Sequence, residues 1–340
     1  MNEEQIDVVI CWVDGNDKEW KKEKTFWEQK MIPGHGVVDD LWNRGDVRFR
    51  DWGTLKYFFR GIEKNASWVH KVHFITWGHV PSWLDLSNPK LNIVRHDDYI
   101  PAEFLPTFNS HTIELNIHRI PGLAEKFVYF NDDMFVTRKT VSGDFFRNGL
   151  PCDSAVMNPP PMTRHNLHAE YNNIGVINDR FVKNRVIAEH PLKWFNLRYG
   201  TKILRNCLFL PWHNFVGFYE QHLPNSFLKS TFRTVWEEEE EELAATCSCK
   251  FRDRSNVNQW LMKNWQQVTG QFSPRSFKIG HWFEYGEDNN YDLACKEVRE
   301  GRWKLLCVND TEEIDDFEKR RDQLIEAFES LLPEKSKYEK

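Results

Sequence analysis

Residues 126–134, KFVYFNDDM, constrain the fold more than any other stretch of the chain. Phe127, Val128, Tyr129 and Phe130 make a short apolar run, and Asn131, Asp132 and Asp133 follow it without a break. Such a run reads as a buried strand. In open α/β sheets, ligands gather at the carboxyl ends of strands. Adjacent carboxylates there repel and shift each other's pKa. A hard cation such as Mg²⁺ removes that conflict and brings diphosphate oxygens with it. A strand closed by an Asp-rich turn accounts for the same residues without a metal, so the segment alone leaves both readings open.

The flanking segments supply an α/β layer. Residues 6–13 are apolar and end in Asp14-Gly15-Asn16-Asp17, which predicts a strand and turn with Asp17 capping a helix over Lys18–Lys30. Residues 31–46, with Pro33, Gly34, Gly36 and Gly45, read as a loop. Asp51 is placed to cap a helix over 52–64, where Leu55, Phe58, Phe59 and Ile62 recur at helical spacing. Residues 71–77 and Leu91–Arg95 read as strands, and Ser110 as the cap of a helix reaching Ile120. The order β-α-β-β-α-β is that of a nucleotide-binding α/β layer. Beyond Pro159-Pro160-Pro161, residues 162–270 read as mainly helical, and the glutamate run 237–242 as a solvated helix face. Residues 315–332 predict an amphipathic helix that packs on the body through Phe317, Leu324, Ile325, Phe328 and Leu331, in preference to a membrane.

A chain of 340 residues with 40% apolar content has material for one large domain or two ordinary ones. A formal net charge of -6 argues against a generic nucleic-acid binder. The 15 Trp and 25 Phe fit a thick core, with sugar or base platforms as a secondary use. Seven scattered Cys, with no CxxC pair, indicate neither a zinc site nor a disulfide framework, and reduced thiols in the cytoplasm fit them best. Residues 1–5 are acidic and polar, and the apolar run after them is short, so no signal peptide is expected. Nothing approaches the 18 to 20 or so apolar residues of a membrane span.

Four polar clusters stand out. Trp12-Val13-Asp14-Gly15 closes the first strand, where Gly15 would admit a ligand to backbone N–H groups and Trp12 or Asp14 would hold a base or ribose; an ordinary strand-end turn is the alternative. Arg48-Phe49-Arg50-Asp51 precedes a helix, where arginine forks match phosphate oxygens, or form surface ion pairs. Asn109-Ser110-His111 leads into Glu114, His118 and Arg119, with Glu114 and His118 on one helix face as a metal pair or a structural one. His213, in Leu210-Pro211-Trp212-His213-Asn214, suits general-base work or a hydrogen-bonded core, and Arg252, in Lys250-Phe251-Arg252, suits a transferring phosphoryl group.

Together these clusters resemble the Stealth family of sugar-1-phosphate transferases, which includes bacterial capsule-polymer phosphotransferases and the animal enzyme that tags lysosomal glycans. Residues 6–17 resemble its first block. The longest match runs from Arg48-Phe49-Arg50-Asp51 through Leu105-Pro106-Thr107-Phe108-Asn109-Ser110 and Ile117-His118-Arg119-Ile120 to Asn131-Asp132-Asp133. Leu210-Pro211-Trp212-His213 with Lys250-Phe251-Arg252, and Cys307-Val308-Asn309-Asp310, resemble the third and fourth blocks. Cys11 and Cys249 stand where the family commonly has Thr and often has His.

The resemblance implies a Rossmann-like, glycosyltransferase-A-like nucleotide-sugar-binding core with a mainly helical second half. Residues 1–160 would form the α/β nucleotide-sugar and metal-binding part, and 161–340 the helical part completing the same catalytic domain. It implies transfer of sugar 1-phosphate from a nucleotide-diphosphate sugar, a UDP-linked hexose or N-acetylhexosamine, to a glycan hydroxyl, with release of nucleoside monophosphate in capsule or exopolysaccharide synthesis. Mg²⁺ or Mn²⁺ would sit on Asp133 and Asp132, assisted by Asp310. Arg252 and Arg48 would neutralise phosphate, and His213 would accept the acceptor's proton. Trp12, Asp14, Gly15, Asp51, Asn109, Ser110, Arg119 and Asn131 would line the substrates. The implied setting is cytoplasmic, with peripheral association with membrane-bound assembly machinery at the inner face of the membrane, and without nucleic acid. The rival readings are a metal-dependent glycosyltransferase releasing nucleoside diphosphate and a non-enzymatic glycan-binding protein.

Overall fold

The computed structural model describes residues 5–30, 49–161, 168–310 and 314–340. Its strands are β1 (Ile6–Cys11), β2 (Val72–Thr76), β3 (Leu91–Arg95), β4 (Lys126–Phe130), β5 (Met134–Val136), β6 (Phe146–Arg147), β7 (Leu150–Asp153), β8 (Asn225–Leu228), β9 (Ser273–Pro274), β10 (Gly280–Tyr285) and β11 (Leu305–Asp310). Its helices are α1 (Lys18–Lys30), α2 (Leu55–Asn65), α3 (Ser110–Leu115), α4 (His168–Arg180), α5 (Lys183–Glu189), α6 (Pro191–Trp194), α7 (Ile203–Leu208), α8 (Lys229–Glu238), α9 (Glu240–Ser248), α10 (Trp260–Val268), α11 (Tyr291–Glu300) and α12 (Phe317–Leu331).

The main sheet has the order β3-β2-β1-β4-β8. β1 lies at its centre, parallel to both β2 and β4, with Val8 opposite Val72 on one side and Val128 on the other. The chain lays β2 and β3 to one side of β1 and returns on the other with β4. The gap between the ends of β1 and β4 is therefore the topological switch point, where ligands bind in sheets of this kind. The sheet is the expected Rossmann-like α/β layer.

Alternation along the strands divides the core into two layers. Val8, Ile10, Val128 and Phe130 face a cluster with Phe58, Phe59 and Ile62 of α2 and Phe328 of α12. Val9, Phe127 and Tyr129 face the opposite cluster, with Leu115, Phe232, Trp236 and Leu261. Both faces are covered, which explains why β1 and β4 are apolar without alternating polarity.

The second half is mainly helical, as expected, but it also returns to the sheets. β8 pairs antiparallel with β4, with Asn225 opposite Tyr129. β11 pairs parallel with β10 and antiparallel with β5, setting Cys307 opposite Met134. Local signals set some element ends and not others. Asp17 caps α1 by accepting from the Trp20 N–H at 2.8 Å. Asp51, however, accepts from the N–H of Gly53, whose φ is +67°, so α2 starts at Leu55 after an Asx turn. The helix expected from Ser110 to Ile120 stops at Leu115 and passes into a 3₁₀ turn, and its cap is Asn109. The glutamate run is split between α8 and α9 at Glu239.

The end of the chain is fixed to the body. Arg60 of α2, 5% exposed, donates to Glu339 from Nε and Nη2 at 2.9 Å each, to Glu329 at 3.0 Å and to the Leu332 carbonyl at 2.8 Å. A buried guanidinium held on so many acceptors is costly to unpair, so α12 is a structural strut. Among the described residues, no helix is long and apolar enough to cross a membrane.

Candidate active site

Four chain segments meet at the switch point. The first is the loop after β4. Asp132 is exposed, yet protein crowds its carboxyl. That crowding, followed by the charges of Asp133, Asp51 and Asp310, pushes its carboxyl up to about 7. Asp133 is half-buried, and its Oδ2 accepts from the Cys307 thiol at 3.3 Å. Its Oδ1 is buried without a hydrogen-bond partner. A carboxylate oxygen left in that state is costly unless a cation or ligand group meets it.

The second segment is the approach to β8. Because β8 runs antiparallel to β4, its first residues lie beside the end of β4. This places the His222 Nε2 3.2 Å from the Asn131 Nδ2 and 4.0 Å from the Asp133 Oδ2. Its Nδ1 is 3.8 Å from the Cys307 Sγ. Asp133, His222 and Cys307 together could hold a metal ion, their ligand atoms all lying within 4.8 Å of one another. A hard divalent cation fits the carboxylate and imidazole better than the thiol. Burial and the neighbouring acids push the Cys307 thiol far up, which suits it to donate to Asp133.

The third segment is the start of α3 with the loop at 249–256. Arg252 donates from Nε and Nη2 to the Ser110 hydroxyl at 3.1 and 2.6 Å. The carboxyl of Glu114 lies close enough to act on its charge. Burial pushes Glu114 up to about 7, against the pull of Arg252 and of hydrogen bonds that include one from the Tyr129 hydroxyl at 3.2 Å. Cys11, at the end of β1, feels the charges of both Glu114 and Asp132. The fourth segment is residues 49–52 with the end of β11. Arg50 donates to Asp310 at 2.8 and 3.1 Å, and Trp52 adds its indole N–H at 3.0 Å.

The structure therefore groups Asp132, Asp133, Asn131, Ser110, Arg252, Asp51 and Asp310. Other expectations need correction. His213 lies exposed on the turn after α7; the histidine beside the aspartates is His222. Asp310 gives both oxygens to Arg50 and Trp52, which makes it an anchor for that arginine, and neither it nor Asp132 belongs to the Asp133–His222–Cys307 grouping. Trp12 is buried against Phe74 and His79, so its ring packs in the core; Trp77, half-buried at the end of β2, remains the more open aromatic there. Gly15 is required by the protein itself: a Cβ would come within 2.0 Å of the Phe49 carbonyl oxygen. Asn109 is fully buried, accepting from the His111 N–H and donating to Asn256 at 2.8 Å, so it holds the Arg252 loop in place. Arg119 is exposed and stacks over Trp236, with 4.8 Å to the ring centroid. Asp14 accepts from the Asn16 N–H and donates its own N–H to the His79 Nε2 at 2.7 Å, a strand-end turn at the edge of the crevice. Arg48 lies outside the described residues.

Residues 48–152 match the family described as Stealth protein CR2, conserved region 2. The chain is 41% identical over its whole length to the capsular polysaccharide phosphotransferase WcwK of Streptococcus pneumoniae, of which 99% is covered. It is 39% identical to the exopolysaccharide phosphotransferase cps2G of Lactiplantibacillus plantarum, over 98% of this chain and 96% of that protein. To the receptor polysaccharide phosphotransferase WefC of Streptococcus gordonii it is 37% identical, over 99% of each. Among solved structures, the bifunctional glycosyltransferase WbbM is a distant likeness, with a TM-score of 0.37 at 12% identity over 97% of this chain and 52% of that one.

Proposed function

Because the chain belongs to the Stealth family of polysaccharide phosphotransferases, we propose that it transfers sugar 1-phosphate from a nucleotide-diphosphate sugar to a glycan hydroxyl. The acceptor oxygen attacks the sugar-proximal phosphorus, the bond from that phosphorus to the bridging oxygen breaks, and nucleoside monophosphate leaves. The new linkage is a phosphodiester, and the anomeric C–O bond stays intact. One observation carries this reading: beyond the end of β4, Asp133 keeps a buried oxygen without a partner beside His222, and at the start of α3 Arg252 is held on the Ser110 hydroxyl. Phosphoryl transfer asks for this combination, since alignment and charge neutralisation do most of the catalysis.

Within that reading, Asp133 would hold a divalent cation, Mg²⁺ or Mn²⁺, with the neighbouring Asp132 adding negative charge, and the cation would supply charge neutralisation at the diphosphate. Arg252, oriented by Ser110 and backed by Glu114, binds phosphate oxygens. His222, half-open to solvent, accepts the proton of the acceptor hydroxyl, with Asn131 fixing its ring. The nucleoside lies toward Asp14 and Trp77. Residues 1–160 and 161–340 act as one catalytic unit. A nucleotide-sugar donor and seven free cysteines support a cytoplasmic setting.

The test is product analysis with a panel of nucleotide sugars and the relatives' glycans as acceptors. Nucleoside monophosphate is expected in step with product, with phosphorus retained in the glycan. Stoichiometric nucleoside diphosphate with a phosphate-free product would refute phosphotransfer and indicate glycosyl transfer.

A further inference from the structure

Six of the eleven exposed large hydrophobic side chains among the described residues fall between positions 192 and 212: Leu192, Leu197, Leu204, Leu208, Leu210 and Trp212. Leu197 is 90% exposed and Leu192 81%. Single exposed leucines are ordinary, whereas this concentration in about twenty residues is not. The segment is held to the body from its inner side. Trp194 and Tyr199 are buried, and Asn206 donates to the carbonyls of Ala155 and Trp194 and accepts from the Met157 N–H. At about 100° per residue, Leu204 and Leu208 of α7 point almost directly away from buried Asn206. The leucines are therefore presented outward by a fixed scaffold.

The charge of the segment is opposite to that of the chain. Residues 191–212 carry Lys193, Arg198, Lys202 and Arg205 and no acid, in a protein of net charge -6. Among the described residues, none of the four has an ion-pair partner. Lys193 reaches the Gly270 carbonyl, Lys202 lies over the Tyr219 ring, Arg205 reaches Asn158, and Arg198 is exposed. Apolar side chains with a tryptophan, bordered by unneutralised cations, match the two components of an anionic bilayer surface: acyl chains that take the leucines and headgroups that take the charge.

We propose that residues 191–212 form the surface by which this enzyme docks on a membrane rich in anionic lipid. Leu192, Leu197, Leu204, Leu208 and Trp212 enter the headgroup–acyl boundary, and Arg198, Lys202 and Arg205 meet lipid phosphates. Trp212 and His222 are ten residues apart in sequence, so the docked face is joined by a short tether to the strand that brings His222 to the site. The docking does not depend on which bond the enzyme breaks.

Flotation of the full chain with vesicles tests this. Wild-type protein is expected to float with vesicles of equal parts phosphatidylglycerol and phosphatidylcholine and to stay below with pure phosphatidylcholine. Leu197→Glu with Leu204→Glu should lower the bound fraction about tenfold or more, and Arg198→Gln with Lys202→Gln several-fold. Leu86→Glu with Leu293→Glu, at exposed positions outside the segment, should float like wild type. Circular dichroism and melting show whether each variant is folded. Failure of wild type to float, or flotation of the folded Leu197/Leu204 variant at wild-type level, would overturn the proposal. So would a concentration-dependent dimer that the same leucine variant dissolves, since the face would then be a contact between two copies.

Discussion

Glu114→Gln isolates the electrostatics of the arginine side of the site. The Glu114 carboxyl is pushed from its ordinary 4.5 up to about 7, first by burial and against the opposing pull of Arg252. In the unfolded chain it titrates near the ordinary value, so between pH 4.5 and 7 the folded protein binds the extra proton. Stability contributed by the neutral carboxyl is thus full below about 4.5 and is lost as pH rises through about 7. At about 1.36 kcal/mol per pH unit, the loss is about 3 kcal/mol by pH 8. Glutamine keeps the shape and stays neutral, so the variant should match wild type near pH 4.5 and exceed it by about 3 kcal/mol at pH 8. Urea unfolding at a series of pH values reads the difference directly. An equal offset between variant and wild type at pH 5 and pH 8 would refute the reasoning, because it would show a contact effect with no titration behind it. Turnover should fall in the same variant above about pH 7, where the wild-type carboxylate is charged and balances Arg252.

Other outcomes follow from the same geometry. His222→Ala should reduce turnover by about 10²–10⁴-fold, the range for lost proton acceptance, while His213→Ala stays near wild type; the reverse pattern in steady-state assays would restore His213 to the mechanism. Chelation should abolish turnover and Mg²⁺ or Mn²⁺ restore it, and Asp133→Asn should lower kcat by orders of magnitude without changing the melting temperature downward; full activity in excess chelator would count against a catalytic cation. Arg60→Leu should destabilise the fold by about 3–5 kcal/mol in urea, because it leaves buried Glu339 without its partner; a cost under about 1 kcal/mol would show that the tail is only loosely held.

Much of the α/β layer can be read from sequence because its signals are local. The apolar runs of β1 and β4, the Asp17 cap and the Leu55–Ile62 spacing each lie within one element. Asp132 and Asp133 are legible for the same reason, as their neighbours declare a buried strand. His222 is not, because its place depends on β8, a four-residue strand whose antiparallel partner is almost a hundred residues earlier. His222 stands three residues ahead of Asn225-Ser226-Phe227-Leu228, whose polar first half gives little strand signal, whereas the aromatic context of His213 is stronger locally. Trp12, Asn109 and Gly15 share one ambiguity: their residue types suit ligands, while tertiary packing uses them for the protein itself. Asp310 stands out only through the resemblance of residues 307–310 to a family block, and its pairing with Arg50 spans 260 positions and has no local trace.

That last pairing has a consequence for how such enzymes can be recombined. Arg50 reaches Asp310, Val308 donates its backbone N–H to the Asp133 carbonyl, and Arg60 grips Glu339. The site is closed by joins between opposite ends of the polypeptide. A hybrid that takes its first hundred and fifty residues from one relative and the remainder from another would inherit every catalytic side chain and still mismatch these seams. Viable crossovers should exchange the opening segment and the closing segment as a set, and should also keep the partners of β4, Asn109 and Ser110 that the middle supplies.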